Sequence, residues 1–326
     1  MMSGLRGCMV VLAVALGFTA SWAQAQSPSK PITLIVPFAA GGPTDTLARI
    51  LSERIAAELR TTVVVENVAG ASGSIAGARA ARATPDGTTI TIGHWGTHVL
   101  NGAILKLPYD VIADFEPIAT IAMGTQLIVG RKTLKVDTLK ELIAWLKDNP
   151  GKATAGTSGA GTGAHVAAVF FKEKTGTDFQ FIPYRGAGPA MIDLVAGQID
   201  IMFDQAANSL PQYKNGAIKA FAVTSPTRLA SAPDVPTVDE AGLPGLYISY
   251  WHGIWAPKGT PKEIVAKLNA AVVAALANPA VRQRFAELGQ EIPPGEEQSP
   301  AALAAFQKAE TEKWWPIVKA ADIKAE

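Results

Sequence analysis

Short β-branched runs alternate with helical spacings along this chain. Ile32-Thr33-Leu34-Ile35-Val36 reads as a strand, stopped by Pro37 and the turn Gly41-Gly42-Pro43. Leu47, Ile50, Leu51, Ile55 and Leu59 then recur at the three-and-four spacing of a helix. Thr62 to Glu66 predicts a strand, Ser74 to Ala83 a helix and Thr88 to Gly93 a strand, with Pro85-Asp86-Gly87 as the last turn. The pattern continues with a strand near Gln126 to Gly130, a helix Leu139 to Lys147, a strand Lys152 to Gly156 and a helix Ala164 to Lys174. Phe179 to Pro183 reads as a strand and Pro189 to Ala196 as a helix, followed by strands Ile199 to Phe203 and Ile218 to Thr224. Pro261 to Leu276, Pro279 to Leu288 and Pro300 to Ala321 predict three closing helices. Strands separated by helices of about ten or more residues imply βαβ units and mostly parallel sheets.

The N-terminus follows a different pattern. Arg6 precedes an apolar run from Met9 to Ala20, and Ala23-Gln24-Ala25 supplies the small residues of a cleavage site. Residues 1–25 therefore read as a secretory signal peptide cleaved near Ala25. The run is about 12 residues, short of the roughly 20 that a membrane-spanning helix needs. Cys8 precedes the apolar run, which argues against a lipid anchor. The mature protein is expected to be soluble and exported.

Composition narrows the partners. Of 326 residues 48% are hydrophobic and 17% charged, which excludes disorder and, at about 150 residues per domain, suggests two domains. Lys and Arg number 29 against 28 Asp and Glu, so no global field holds a polyanion and nucleic acid is not an expected partner. Removing residues 1–25 takes away Arg6 and Cys8, leaving a neutral chain without cysteine. Disulfides, iron–sulfur clusters and cysteine zinc sites are thereby excluded.

Glycine is the remaining bias, at 30 residues, or about 9% against an average near 7%. Four strand-to-helix joints carry it: Phe38-Ala39-Ala40-Gly41-Gly42-Pro43-Thr44-Asp45, Gly70-Ala71-Ser72-Gly73-Ser74, Gly156-Thr157-Ser158-Gly159-Ala160-Gly161-Thr162-Gly163 and Tyr184-Arg185-Gly186-Ala187-Gly188-Pro189. In an open α/β sheet such joints lie at the carboxyl edge of the strands, where ligands bind. Glycine lets backbone amides approach a ligand, and helix N-termini add partial positive charge. Together they make an anion site without lysine or arginine.

Enzyme signatures fail one by one. Gly151-Lys152 is followed by Ala153, so no P-loop forms, and Gly159-Ala160-Gly161-Thr162-Gly163 has its last glycine one position early for a dinucleotide fingerprint. Gly70-Ala71-Ser72-Gly73-Ser74 lacks the final glycine of a nucleophile elbow. His94 and His98 are four apart, but Gly93 to His98 reads as a post-strand loop with no nearby carboxylate, so no metal or cofactor is expected.

From Pro31 to the C-terminus the chain resembles the periplasmic solute-binding proteins of tripartite tricarboxylate transporters, the Bug family. The resemblance is carried by Pro37 to Asp45, Pro85-Asp86-Gly87, Leu107-Pro108-Tyr109-Asp110, Gly156-Thr157-Ser158-Gly159 through His165, and Pro183-Tyr184-Arg185-Gly186. Asp200 to Asp204, Pro233-Asp234-Val235-Pro236-Thr237 and Ala256-Pro257-Lys258-Gly259-Thr260-Pro261 continue it. It implies an α/β, two-lobed periplasmic binding protein fold of type II character, each lobe a mostly parallel sheet flanked by helices. One lobe would comprise residues 27–124 plus 250–326 and the other 125–249. The implied function is capture of an organic carboxylate, a dicarboxylate or an aromatic acid, by a periplasmic monomer that delivers it to membrane permease subunits. A receptor feeding a sensor and an extracytoplasmic enzyme on small acids are the alternatives.

The same resemblance implies the site. Phe38, Ala39, Ala40, Gly41, Gly42, Thr44 and Asp45 would hold one ligand carboxylate through backbone amides and ordered waters. Gly70, Ala71, Ser72 and Gly73, with His94, Thr97 and His98, would complete that wall. Ser158, Gly159, Ala160, Gly161, Thr162 and His165 would meet the far end of the ligand, with Tyr184, Arg185 and Asp204 beside it. The second joint departs from the family pattern: Asn67-Val68-Ala69-Gly70-Ala71-Ser72-Gly73 stands where many members have Asn-Arg-Pro-Gly-Ala-Gly-Gly. Asp45 would repel a carboxylate and so reads as a support of the loop. Asp204 either orients a donor or closes a turn, and Arg185 either pairs with a carboxylate or lies on the surface.

Overall fold

The structure, a computed structural model, describes residues 30–323, and the predicted signal peptide lies outside them. The chain opens with β1 (Ile32–Val36), α1 (Pro43–Leu59), β2 (Val63–Asn67), α2 (Ser74–Ala81) and β3 (Thr89–His94). One wide helical turn, Gly96–Leu100, then leads into α3 (Asn101–Ile104), where the sequence predicts a loop. His94 builds that turn, since its Nδ1 accepts the amides of Gly96 at 2.9 Å and Thr97 at 3.3 Å. β4 (Phe115–Arg131) is a single strand of 17 residues. The sequence pattern exposes only its end near Gln126, because bulges around Pro117 and between Thr120 and Ala122 break the alternation.

α4 (Leu139–Asp148), β5 (Thr154–Thr157), α5 (Gly163–Thr175), β6 (Gln180–Pro183), α6 (Ala187–Val195) and β7 (Ile201–Gln205) follow as predicted, within a few residues. α7 (Ala206–Lys214) and β9 (Ser249–Pro257), on either side of β8 (Ile218–Val223), do not show in the sequence pattern. α7 carries Pro211 inside it, and β9 buries consecutive residues on both faces, which erases the period-two signal. α8 (Lys262–Ala277), α9 (Pro279–Glu287) and α10 (Pro300–Ala320) are the three predicted closing helices.

The strands run β2-β1-β3-β9-β4-β7-β5-β6, with β8 also paired to β4. β1 is parallel to β2 and β3, and β5 is parallel to β6 and β7, as the βαβ pattern predicts. β9 and β4, which join these two sets, are antiparallel to their neighbours, so the sheet as a whole is mixed. Through Thr125, β4 pairs with β9; from Gln126 onward it pairs with β7, and from Leu127 with β8. One strand thus belongs to both halves of the sheet, and its neighbours change at 125/126.

Helices cover both faces. α1, α8 and α9 bury Leu47, Leu51, Ile55, Val272, Leu276 and Phe285 against Leu34, Ile92 and Ile254 of the sheet. Trp251 and Trp255 are core residues facing α10, where their indoles donate to Glu310 and Gln307 at 3.2 and 3.1 Å. α4, α9 and α10 are capped by their own Thr138, Asn278 and Ser299 side chains. The helices that follow the four joints, α1, α2, α5 and α6, have no side-chain cap. α3, α7 and α8 also lack one, so what sets the four joint helices apart is where their first-turn amides lie, at the carboxyl ends of strands.

Candidate functional site

The four joints leave the carboxyl ends of β1, β2, β5 and β6, and they meet in two pairs. The first joint touches the fourth: Ala39 N–H donates to the Arg185 carbonyl at 3.0 Å. Gly188 lies so close that a Cβ there would come within 2.9 Å of Gly41 C and Gly42 N, and a Cβ at Gly186 within 3.2 Å of Ala39 N. The second joint touches the third: Ser72 Oγ donates to the Ala160 carbonyl at 2.5 Å. A Cβ at Gly159 would come within 2.9 Å of that hydroxyl.

The second joint carries backbone strain. Gly70, Ala71, Ser72 and Gly73 have φ of 132°, 44°, 56° and 88°, which puts two residues with side chains in the left-handed region. That conformation costs about 1–2 kcal/mol per residue and persists only where the surroundings enforce it. Asn101 Nδ2 enforces it here by donating to the Ser72 carbonyl at 3.0 Å. Beside this turn lies a cavity of about 510 Å³, bounded by Phe38, Gly70 to Ser74, Leu105, Lys106, Ser158 to Ala160 and Pro183 to Arg185. Ten of the residues predicted from the sequence line it: Phe38, Gly70, Ala71, Ser72, Gly73, Ser158, Gly159, Ala160, Tyr184 and Arg185.

Others support the walls. Asp45 is buried and accepts from Gly41 N–H at 2.9 Å, Arg49 Nε at 3.0 Å and Asn67 Nδ2 at 3.0 Å. Burial pushes its carboxyl up, but the hydrogen bonds from Arg49, the Gly41 amide and Asn67 outweigh this and hold it below the usual carboxylate range. Asp45 is thus a strut of the first joint. With Ala39 N–H bound to Arg185 and Gly41 N–H to Asp45, the amides of Ala40 and Gly42 remain as donors among the described residues. Gly41 turns at φ 84° with open space at its Cβ position, so its requirement is conformational.

Thr162 gives its hydroxyl to the Gly159 carbonyl at 2.7 Å and accepts from Ser158 Oγ at 3.1 Å. His165 Nδ1 accepts from Gly161 N–H at 2.9 Å, and its ring stands edge-on to Phe181. His94 stacks flat on Phe38 with ring centroids 5.1 Å apart, and its backbone N–H donates to Thr97 Oγ1 at 3.0 Å. His98, expected in the cleft wall, is turned into the core instead. It stacks on Trp255 at 3.7 Å, because the helical turn after β3 swings position 98 away from the joints. Asp204, also expected at the ligand, is tied to α7 by Ser209 Oγ at 2.6 Å and Asn208 Nδ2 at 2.8 Å. Burial pushes its carboxyl up to about 7, against the opposing hydrogen bonds of Ser209, Asn208 and the Gln205 amide.

The floor beneath the joints is polar and was not visible in the sequence. Tyr250 and His252 on β9 lie under it, with the Tyr250 hydroxyl 3.3 Å from the His94 ring nitrogens and His252 Nε2 3.3 Å from Thr44 Oγ1. The start of α5 presses on this floor, since a Cβ at Gly163 would come within 2.6 Å of the Tyr250 ring. Burial, with His252 and His98 nearby, holds His94 well below the usual imidazole range, and burial alone takes His98 and His252 down to about 3. All three are neutral. The Gln126 amide and His252 Nδ1 have no partner among the described residues. A polar residue inside the apolar run Ile248 to Ala256 was the available signal for His252; Lys106, between two leucines, offered none.

Comparison with known proteins agrees with this architecture. Residues 47–323 match the family model described as the tripartite tricarboxylate transporter family receptor. The solved periplasmic binding protein BugD is 39% identical, with 92% of this chain and 100% of that one covered and a TM-score of 0.87. MatC from Rhodopseudomonas palustris, solved with bound malate, is 38% identical over 89% of this chain and 99% of its own, with a TM-score of 0.86. Another R. palustris protein, solved with adipate, is 34% identical over 91% and 99%, also with a TM-score of 0.86. A receptor-family match over most of its length and a fold shared with the Bug proteins establish that the chain belongs to the tripartite tricarboxylate transporter receptor family, the periplasmic solute-binding proteins of the Bug type.

Proposed function

We propose that the chain captures a small organic carboxylate between two lobes, residues 27–124 plus 250–326 and residues 125–249, and delivers it to the membrane permease subunits of a tripartite transporter. The observation that carries this reading is the pairing of joints from the two halves of the sheet, first with fourth and second with third, over uncapped helix N-termini. The change of β4 partners at 125/126 supports a hinge there, and such hinges let lobes close on a ligand. The amides of Ala40, Gly42 and the first turns of α1 and α5 would take one carboxylate. Hydrogen bonds to a charged group contribute roughly 1.5–3 kcal/mol each, so four or five reach the roughly 8 kcal/mol of a micromolar complex. The malate and adipate of the two R. palustris relatives support the same ligand class. Export by the signal peptide would release a periplasmic monomer.

A thermal-shift and calorimetric screen of the mature protein against aliphatic, hydroxy, amino and aromatic acids tests this. A ligand at 100 times its Kd adds about 2.7 kcal/mol of stability, and all of it is recovered unchanged. Any product would favour an enzyme, and no shift with any acid would overturn the carboxylate assignment. Co-purification of membrane subunits, or its failure, separates transport from a receptor that feeds a sensor.

A further inference from the structure

We infer that the protein takes up a proton together with its anion: Asp204, buried behind the contact of the first and fourth joints, gains one when a carboxylate settles on the amides there. This rests on the ligand-capture reading above and deepens it by naming what regulates that site. Asp204 lies at the carboxyl end of β7 and is 2% exposed. Its side-chain partners, Ser209 Oγ at 2.6 Å and Asn208 Nδ2 at 2.8 Å, are both neutral and both donate to Oδ2. The same Asn208 Nδ2 reaches on to the Ala187 carbonyl at 3.4 Å. Ala187 opens α6 and precedes Gly188, whose Cβ position lies 2.9 Å from Gly41 C and Gly42 N. One side-chain amide therefore separates this carboxyl from the fourth joint, which itself rests on the amides of the first.

The titratable groups around Asp204 supply no cation among the described residues. Tyr250 on β9 is kept protonated by burial first and by the Asp204 charge second, and His94 and His252 beyond it are neutral. β4 sets the uncharged Leu127 opposite Asp204, and its Arg131 pairs with Asp200 at the other end of β7. α5 brings His165, held by the Gly161 amide, and carries Lys172, Glu173 and Lys174 in its last turn. On α6, Asp193 is engaged by Tyr184; on α1, Asp45 is engaged by Arg49; on α7, Lys214 lies at the far end. An ionised carboxyl in such surroundings is supported by dipoles alone, and a second anion in the same water-poor space favours its neutral form. Burial has already pushed Asp204 up to about 7, so near neutral pH it is divided between its two forms. A ligand carboxylate pushes it higher, and a proton drawn from solvent forms an O–H on Asp204 while no bond of the ligand changes. By linkage, affinity is level in acid, where Asp204 is already protonated, and falls as the pH rises above 7.

The test is calorimetry on the full mature chain with malate, adipate, glutamate and benzoate, repeated in buffers of small and large ionisation enthalpy. At pH 8 the wild type is expected to take up half a proton or more per ligand, and its Kd to weaken tenfold or more between pH 6 and pH 8.5. Asp204→Asn keeps an oxygen for Ser209 and Asn208 but does not titrate, so it binds with no uptake and a level Kd. Ser209→Ala removes a donor that favours the ionised form, so the pH at which affinity starts to fall moves upward. Binding by the wild type without proton uptake overturns the inference and leaves ligand capture standing. So does an Asp204→Asn variant that takes up as much as the wild type, or a Ser209→Ala variant whose pH profile is unmoved. A wild type that binds none of the four acids overturns both.

Discussion

Where the first joint meets the fourth, backbone lies close to backbone: glycine at 42, 186 and 188 leaves no Cβ of its own in the contact, and one bond, from Ala39 N–H to the Arg185 carbonyl, ties it. Where the second meets the third, a side chain makes the contact. Ser72 stands on a left-handed turn to reach the Ala160 carbonyl, and beside it a cavity lined by Lys106 and Arg185 stays open. The first contact leaves no room for a Cβ at Gly188, and what that joint offers a ligand is amides, which any carboxylate satisfies. The second has room and side chains that can differ between relatives without disturbing the first. On the reading proposed here, the glycine contact governs whether the lobes shut, and the serine contact governs on what.

The strongest way to break this division is Gly188→Ala. Gly188 lies in the first turn of α6 without a positive φ, so alanine is favoured there by up to about 1 kcal/mol in helix propensity. Its Cβ would nevertheless come within 2.9 Å of Gly41 C and Gly42 N. The ligand-free protein should melt at the same temperature or slightly higher, while carboxylate affinity measured by calorimetry falls a hundredfold or more. An unchanged affinity would mean that the first–fourth contact is not part of closure.

Acid tests the floor on which both contacts rest. His94, His98 and His252 are buried and neutral, with folded pKa values below the unfolded one, so the unfolded chain takes up more protons as the pH falls from 7 to 5. Each costs roughly 2 kcal/mol of stability over that range. Asp204, raised to about 7 by burial, has the opposite sign. The folded chain takes up its proton first, which returns about 2 kcal/mol on acidification. The net expectation is a lower Tm at pH 5 than at pH 7, and a steeper loss in Asp204→Asn. A Tm that rises on acidification would contradict the neutral buried histidines.

How much of this was legible in the sequence differs between the two contacts. All four joints are visible as glycine clusters between a strand pattern and a helix pattern, because tight turns and close backbone approach need that residue whatever surrounds them. Which joint meets which is not visible, since it depends on β4 and β9, whose bulges and two-sided burial hide them from periodicity. The roles of Asp45 and Asp204 follow from partners 22 and 5 positions away, Asn67 and Ser209, and only the folded chain brings those donors to the carboxyls. The resemblance puts His98 in the cleft wall on the reading of Gly93 to His98 as a post-strand loop, whereas the helical turn after β3 rotates it onto Trp255. Lys106, just past the end of α3, shows no sign in the sequence of lining the same cavity as Arg185, because only the fold brings those two segments together.

The smallest expected effect probes the serine contact by itself. Ser72→Ala keeps a side chain at φ 56° and removes the hydroxyl; Ser72→Gly removes both the hydroxyl and the strain. A hydrogen bond of this kind is worth about 0.5–1.5 kcal/mol net, so both variants should lose three- to tenfold in ligand affinity. Their ligand-free melting temperatures should separate by strain alone, with glycine at or above alanine. Because Ala160 comes from the other half of the chain, the Ser72 bridge exists only when the seam is shut, and its loss should appear in the liganded melt far more than in the ligand-free one. If Ser72→Ala lowers both melts equally, the bridge is a permanent contact, and selectivity and closure are not divided between the two places where the halves meet.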